Sequence, residues 1–349
     1  MAPPLDALLK ALVASQANDI FLRAGNRPRI RIAGELRSTE DSMISREDLA
    51  ALWQFCGGDP LEENERDAHL VLSDGERLRV NFFRTLNQLA AVLRPIARTV
   101  PSMRRLGLPE KLLETWLTHP AGLVLVTGAT SSGKSTTLAA CLDWINDQQA
   151  RHIVTIEDPI EYLFESRKSL FSQREIATDT ENFGSALRAA LRQNPDVLFV
   201  GEIRDDETAE TALRAAETGH LVLSTLHSSD VGETIERFAS LFVADRRETA
   251  LSLLSRQLLG VLSQKLVPRQ GGGLQLVTEA LSNEAATRKW IREGNHAQLI
   301  DFLRSDRSEG HSFLESLVEH VRKGRLEKDL ARRVAPNAAE FDRALRGIS

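Results

Sequence analysis

Cysteine is nearly missing from this 349-residue chain: Cys56 and Cys141 are the only two, and neither sits in a C-x-x-C pair. A disulfide framework and a cysteine-rich zinc site are both ruled out. Aromatic residues are thin at 5%, which leaves no stacking platform for a single-stranded nucleic acid. An excess of positive charge is lacking too. With 44 basic residues against 49 acidic, net −5, no nucleic-acid partner is expected. The arginine-rich stretch RAGNRPRIRIAGELR does not restore one, because Arg29 and Arg31 alternate with Ile30 and Ile32 as on a half-buried edge strand. No apolar run approaches the ~18 residues that a membrane span needs. The opening MAPPLDALLKALVASQ sets Leu5, Leu8, Leu9 and Leu12 on one helical face, but Asp6 and Lys10 interrupt any leader core and no basic segment precedes it. It reads as an amphipathic helix of a cytoplasmic protein.

What the chain does have is 42% apolar residues, enough for the ordinary cores of two domains. Residues 1–97 mix strand-like DIFLR, RIRIAGEL, HLVLS, RLRVNFF and AAVLRPI with the helical SREDLAALWQFC, the pattern of a small α+β domain. The stretch RTVPSMRRLGLP, 98–109, carries two prolines and a glycine and reads as a linker. From 110 to 282 the rhythm becomes regular. Strands at 122–127, 152–157, 196–201 and 220–225 alternate with helices at 134–146, 182–193 and 205–218, as in a parallel α/β sheet. A hairpin follows, SQKLVPRQGGGLQLVTEAL, with its glycines as the turn, and 283–349 reads as a polar, helical C-terminal region.

The first strand runs into GATSSGKST: Gly128, Ala129, Thr130, Ser131, Ser132, Gly133, Lys134, Ser135 and Thr136. This fits G-x-x-x-x-G-K-[ST] between a strand and a helix, the context that a phosphate-cradling P-loop requires. Backbone N–H groups and the positive end of the helix dipole face the phosphates of ATP, Lys134 reaches the β/γ oxygens, and Ser135 is a ligand of Mg2+. Three more stretches fall at the carboxyl ends of strands, where such a sheet puts its ligands. TIEDPIEY brings Glu157, Asp158 and Glu161 close together, and Glu157 and Asp158 are candidates for the magnesium shell or for positioning water. DVLFVGEIRD places Gly201 where most P-loop enzymes have a magnesium-binding aspartate, with Glu202 next, the candidate general base or water-orienting residue. TGHLVLSTLH offers His227 at the carboxyl end of a strand to sense the γ-phosphate, while His220 at the other end reads as structural.

In this order the four segments resemble the Walker A, Asp box, atypical Walker B and His box of the GspE/PulE/PilT secretion ATPase superfamily. Within it the chain is most similar to the PilT/PilU group of type IV pilus retraction motors. The likeness extends along most of the chain: ANDIFLRAG, RIRIAGEL and RLRVNFFR resemble that family's PAS-like N-terminal domain, and SQKLV with the glycine turn its later hairpin. The resemblance implies an α/β protein, with a PAS-like domain followed by a RecA-like ATPase domain and a helical C-terminal extension. It also implies a homohexamer working at the inner-membrane base of the pilus machine, with a platform protein and possibly a paralogous motor as partners. Arginines of the N-terminal domain, here Arg79 and Arg94, with Arg84 a third, would complete the site of a neighbouring subunit.

The chain departs from the family at two places. Ser131 stands where glycine is usual, and the retraction-linked motif AIRNLIREGK reads here ATRKWIREGN, with Thr287, Lys289 and Trp290 altered. Pilus and type II secretion assembly ATPases share the four boxes, but typically carry a tetracysteine zinc insert and a long N-terminal extension, neither of which is found here. Retraction is therefore expected over assembly. A regulatory subunit joining a sibling motor, and a recombinase-like motor sharing the SSGK loop, are the other readings.

Overall fold

Leu5, Leu9 and Leu12 recur at helical spacing, and all three turn inward on α1 (Pro3–Ala14) to roof an antiparallel sheet. The computed structural model describes residues 3–32, 34–269, 271–305 and 308–347. Ala33 of the expected 29–36 strand, Gln270 of the hairpin turn, and Asp306, Arg307, Ile348 and Ser349 of the C-terminal region lie outside the described residues. So do Met1 and Ala2 of the amphipathic helix. The chain divides between Arg98 and Thr99 into two compact units.

The first unit continues with β1 (Asp19–Arg23), β2 (Arg29–Ile32), β3 (Glu35–Ser38), α2 (Arg46–Phe55), β4 (Glu65–Val71), β5 (Arg77–Thr85) and β6 (Gln88–Pro95). The strands form one sheet in the order β3-β2-β1-β6-β5-β4, antiparallel throughout. The expected single strand 29–36 is two, folded back with Ile32 opposite Glu35, and Gly34 at φ +87° supplies the backbone that the reversal needs. Its edge is thus β3, not the RIRI segment. Leu78, Val80 and Phe82 of β5 point into the core, and Arg77, Arg79 and Asn81 point away from it, the two-residue period of a half-covered strand. A Ser45–Asp48 capping box starts α2, whose Trp53 stacks on Phe82 with ring centroids 5.0 Å apart.

In the second unit, α3 (Met103–Leu106) lies within the stretch 98–109 and buries Met103 beside Leu108. It is followed by α4 (Glu110–Thr118), β7 (Gly122–Thr127), α5 (Lys134–Gln148), β8 (His152–Glu157), β9 (Leu170–Glu175), α6 (Phe183–Ala190) and β10 (Val197–Val200). Then come α7 (Asp206–Glu217), β11 (Leu221–Leu226), α8 (Val231–Ser240), α9 (Arg247–Gln257), β12 (Leu258–Pro268) and β13 (Leu274–Ser282). The sheet order is β13-β12-β7-β11-β10-β8-β9, parallel except for the hairpin strand β13. Its central strands β7, β10 and β11 are buried at every position because both faces are covered. Leu123 and Leu125 of β7 pack with α6 to α9, while Val124 and Val126 pack with α4 and α5. The polar edge strand β9 and the helices α8 and α9 are elements that the sequence pattern left unassigned.

The C-terminal helices fall into two groups. Ile291 of α10 (Ala285–Glu293) and Leu299 and Leu303 of α11 (His296–Leu303) join the main core under α8 and α9. In contrast, α12 (Phe313–Arg322), α13 (Lys328–Val334) and α14 (Ala338–Leu345) build a satellite core of Phe313, Leu317, Ala331 and Phe341 against Val267 and Val277 of the hairpin.

Candidate active site

The apolar run of β7 ends at Thr127, and the next six residues turn through left-handed backbone at Gly128 (φ +147°), Ser131 (φ +63°) and Gly133 (φ +90°). A Cβ on Gly128 would lie 2.5 Å from both the carbonyl oxygen of Gln264 and Oγ of Ser132, so only glycine fits. Ser131 accepts the same type of backbone with a side chain, which is why glycine is the easier residue there. Gly133 leads directly into α5, whose first turn has no side-chain cap and so presents its N–H groups to the loop. Lys134 is buried, with Nζ donating to the carbonyls of Gly128 and Ala129, each at 2.9 Å. Burial pushes its pKa down, while the carboxylates of Glu202 and Glu161 act the other way. Ser135 and Thr136 follow on the helix, half-buried, and Thr136 Oγ1 meets the Tyr162 hydroxyl at 3.0 Å, which ties the loop to the acidic segment.

Beneath the loop lies β12, a placement that no local pattern predicts. Gln264, fully buried, donates through Nε2 to the carbonyl of Ser132 at 2.7 Å, and Ser263 Oγ meets Thr127 Oγ1 at 2.7 Å. The sequence signal is the polar run Ser263, Gln264 and Lys265 inside an otherwise apolar strand.

Glu157 closes β8 and is buried, its Oε1 accepting from Thr155 Oγ1 at 2.7 Å and Gln173 Nε2 at 3.2 Å. Burial outweighs those bonds and raises its pKa to about 7. Asp158, next in the chain, is exposed. On the neighbouring strand, a Cβ at Gly201 would come within 3.2 Å of the Ile156 carbonyl oxygen and 3.5 Å of Glu157 Cα, so the β8–β10 approach leaves little space for an aspartate. Glu202 follows, mostly covered, ion-paired with Arg204 and with Oε2 3.5 Å from Nε2 of His227. Lys134, Glu202 and His227 thus converge on one end of the sheet, together with Glu157. His220 lies at the opposite end of β11, its Nδ1 3.0 Å from the Ala215 carbonyl, holding the end of α7.

The family model for type II/IV secretion system proteins matches residues 1–298. The chain belongs to that family. Over 340 residues, 95% of this chain and 98% of its relative, it is 40% identical to the type IV pilus retraction ATPase PilT of Pseudomonas aeruginosa. It is also 40% identical to a twitching motility protein of Neisseria gonorrhoeae, over 89% of this chain and 85% of that one. A crystal structure of the pilus retraction motor PilT with bound ADP superposes with a TM-score of 0.88 at 38% identity, covering 97% of this chain and 98% of that one. This secretion-family member is a P-loop ATPase.

In the first unit of this secretion ATPase, Arg79 and Arg94 are opposite each other across β5 and β6, on the sheet face away from α1 and α2. Arg94 donates through Nε and Nη2 to Asp19 Oδ1 at 2.8 and 2.6 Å, and Asp19 is itself buried. Arg31 lies 3.8 Å from the other oxygen of Asp19, and Arg79 is 3.9 Å from Asp67. Charged side chains therefore run across five adjacent strands on that face, from Arg31 on β2 to Asp67 on β4. Arg84 is turned away into its own fold, donating to the carbonyl of Pro60.

Proposed function

We propose that this chain is the ATP-hydrolysing subunit of a hexameric motor that retracts type IV pili. The observation that carries the reading is the convergence of Lys134, Glu202 and His227 at the carboxyl ends of β7, β10 and β11, in a chain similar to a retraction motor over nearly all its length. On binding ATP, Lys134 exchanges its two loop carbonyls for β/γ-phosphate oxygens, while the N–H groups from Gly128 to Thr136 surround the phosphates. Glu202 orients the attacking water and accepts its proton, and His227 reads the presence of the γ-phosphate through Glu202. Arg79 and Arg94 of one copy complete the site of the next.

The donor set fits magnesium. Among the described residues no cluster of three or more His, Cys, Asp or Glu could hold a metal ion alone. A nucleotide-bound Mg2+ needs only one or two protein ligands beside phosphate and water. Ser135 and Glu157, with Asp158 beside it, would hold the ion, which when bound supplies charge neutralisation to the phosphates. A buried carboxylate whose charge is disfavoured by desolvation is suited to receive a cation.

Among the described residues no helix is long and apolar enough to cross a membrane. The motor would work at the inner-membrane base of the pilus through a platform protein. An accessory role beside a paralogous motor is the second reading, and the altered motif at 286–295 is its basis. The structure absorbs two of its four changes: Thr287 is buried and bonds Asn283 and Glu284, and Trp290 packs on Phe302 with ring centroids 5.5 Å apart. Lys289 and Asn295 alter the exterior. Deleting the gene and imaging pili tests the reading: hyperpiliated, non-retracting cells support retraction, and bald cells support assembly. Unchanged piliation with intact retraction leaves the accessory role.

A further inference from the structure

Hydroxyl groups fill the space beneath the P-loop. Thr127, Thr234 and Ser263 are fully buried and Ser228 is 5% exposed. Thr127 immediately precedes Gly128, and Ser228 immediately follows His227. Thr234, from the first turn of α8, stands between them: its Oγ1 lies 2.7 Å from Ser228 Oγ and 3.2 Å from Thr127 Oγ1, and it donates to the Asp230 carbonyl at 2.6 Å. Thr127 in turn meets Ser263 at 2.7 Å.

A threonine that bonds the carbonyl one turn back is ordinary helix chemistry and needs no further purpose. The two other contacts are different, because they join separate strand ends. The main-chain ladder between β7 and β11 stops at the pair Thr127–Leu226, and that between β7 and β12 stops at Thr127–Ser263. Beyond those pairs, among the described residues, no backbone bond of the sheet holds the P-loop to the His227 turn. Thr234 bridges the two segments at that point, and burying hydroxyls there is tolerated only because each has a partner.

We infer that Thr234 is a positioning residue for hydrolysis: through Ser228 and Thr127 it fixes the His227 turn against the root of the P-loop, and so sets the approach of His227 to Glu202. The inference rests on the ATPase reading above. It applies to kcat rather than to nucleotide capture, since Lys134 and the loop N–H groups are held from α5 and Gln264.

The test is steady-state turnover of the full-length assembly, with a fluorescent ADP analogue to measure binding. Thr234→Val keeps the shape and removes the hydroxyl. It should lower kcat about tenfold, the scale of one lost hydrogen bond, with KM for ATP and analogue affinity within about twofold of wild type. Thr234→Ser should restore most of the rate. In a His227→Ala background Thr234→Val should cost nothing more. Ser228→Ala, in a loop, should show the same kcat loss and carries the test if the valine variant does not fold. Full kcat in these variants, an equal extra loss in the His227→Ala background, or KM rising as kcat falls would overturn the inference. Absence of turnover in the wild-type assembly would overturn the ATPase reading instead.

Discussion

Nε2 of His227 lies 3.5 Å from Oε2 of Glu202, and the same carboxylate pairs with Arg204. Glu202 is therefore held between an arginine and an imidazole rather than free to swing, a fixed acceptor two residues beyond the end of β10. Glu202→Gln keeps the shape and the bond to Arg204 but cannot take a proton. It should retain ATP binding and lose turnover by roughly 10²-fold or more, the scale of a missing general base. Binding and turnover measured on one preparation decide this; normal hydrolysis by Glu202→Gln refutes the assignment.

Glu157 yields a prediction of opposite signs for stability and activity. Its folded pKa, raised to about 7 by burial, lies above the ordinary 4.5. A carboxyl shifted in this direction contributes stability below about pH 4.5, and that contribution is lost as pH rises through about 7. Glu157→Gln should therefore melt near wild type at pH 5 and progressively higher than wild type up to pH 8, by at most ~3 kcal/mol. The same variant should lose turnover and need more Mg2+ for what remains. Thermal melts across that pH range test it, and a pH-independent difference would show that Glu157 is not the buried titrating group.

Much of this was legible in the sequence, for a physical reason. The buried strands β7, β10 and β11 read as apolar runs because both their faces are covered, and the P-loop reads as a motif because its backbone demands glycine at fixed places. What stayed hidden depends on contacts remote in sequence. Ser263 and Gln264 look like interruptions of a strand until β12 lies beside β7, which brings Ser263 to a residue 136 positions away. Thr234 looks like any helical threonine. The edge strand β9, LFSQRE, has no apolar run because half of it faces outward, yet its Gln173 supports Glu157. Gly201 was visible as a missing aspartate, but the cause, the nearby Ile156 carbonyl, was not.

That cause gives a third prediction. Restoring an aspartate should not improve this enzyme. In Gly201→Asp the new Cβ lies 3.2 Å from the Ile156 carbonyl oxygen, which must give by a few tenths of an ångström next to the Glu157 backbone. Gly201→Ala makes the same steric demand without the charge. Both should lower the melting temperature by a few degrees, for about 1–2 kcal/mol of overpacking, and both should lose turnover through displaced Glu157. Turnover at or above wild type in Gly201→Asp would show that the site has room for a second magnesium carboxylate.

The last prediction concerns the arginine face of the first unit. Arg79 and Arg94 are paired across β5 and β6, but their surroundings differ: Arg94 is bonded to the buried Asp19, whereas Arg79 lies 3.9 Å from the exposed Asp67. Removing Arg94 takes two charge-assisted hydrogen bonds from the buried Asp19, leaving it Arg31 at 3.8 Å, and should destabilise the unit on its own account. Arg79→Ala is therefore the cleaner probe, with Arg94→Lys as its companion. If these arginines act on the phosphates of a neighbouring copy, Arg79→Ala/Arg94→Lys should lose ~10³-fold or more in rate while melting close to wild type. Lys134→Ala should be equally inactive for a different reason, since its own P-loop cannot grip the phosphates although its arginines are intact. Co-assembled, a Lys134→Ala copy can lend its arginines to the intact P-loop of the next, and phosphate release should partly return. Mixed assembly is confirmed by co-purification on two tags. Activity that persists in the arginine variant alone would make both residues surface charges, and a confirmed mixed ring that stays silent counts against a site shared between copies.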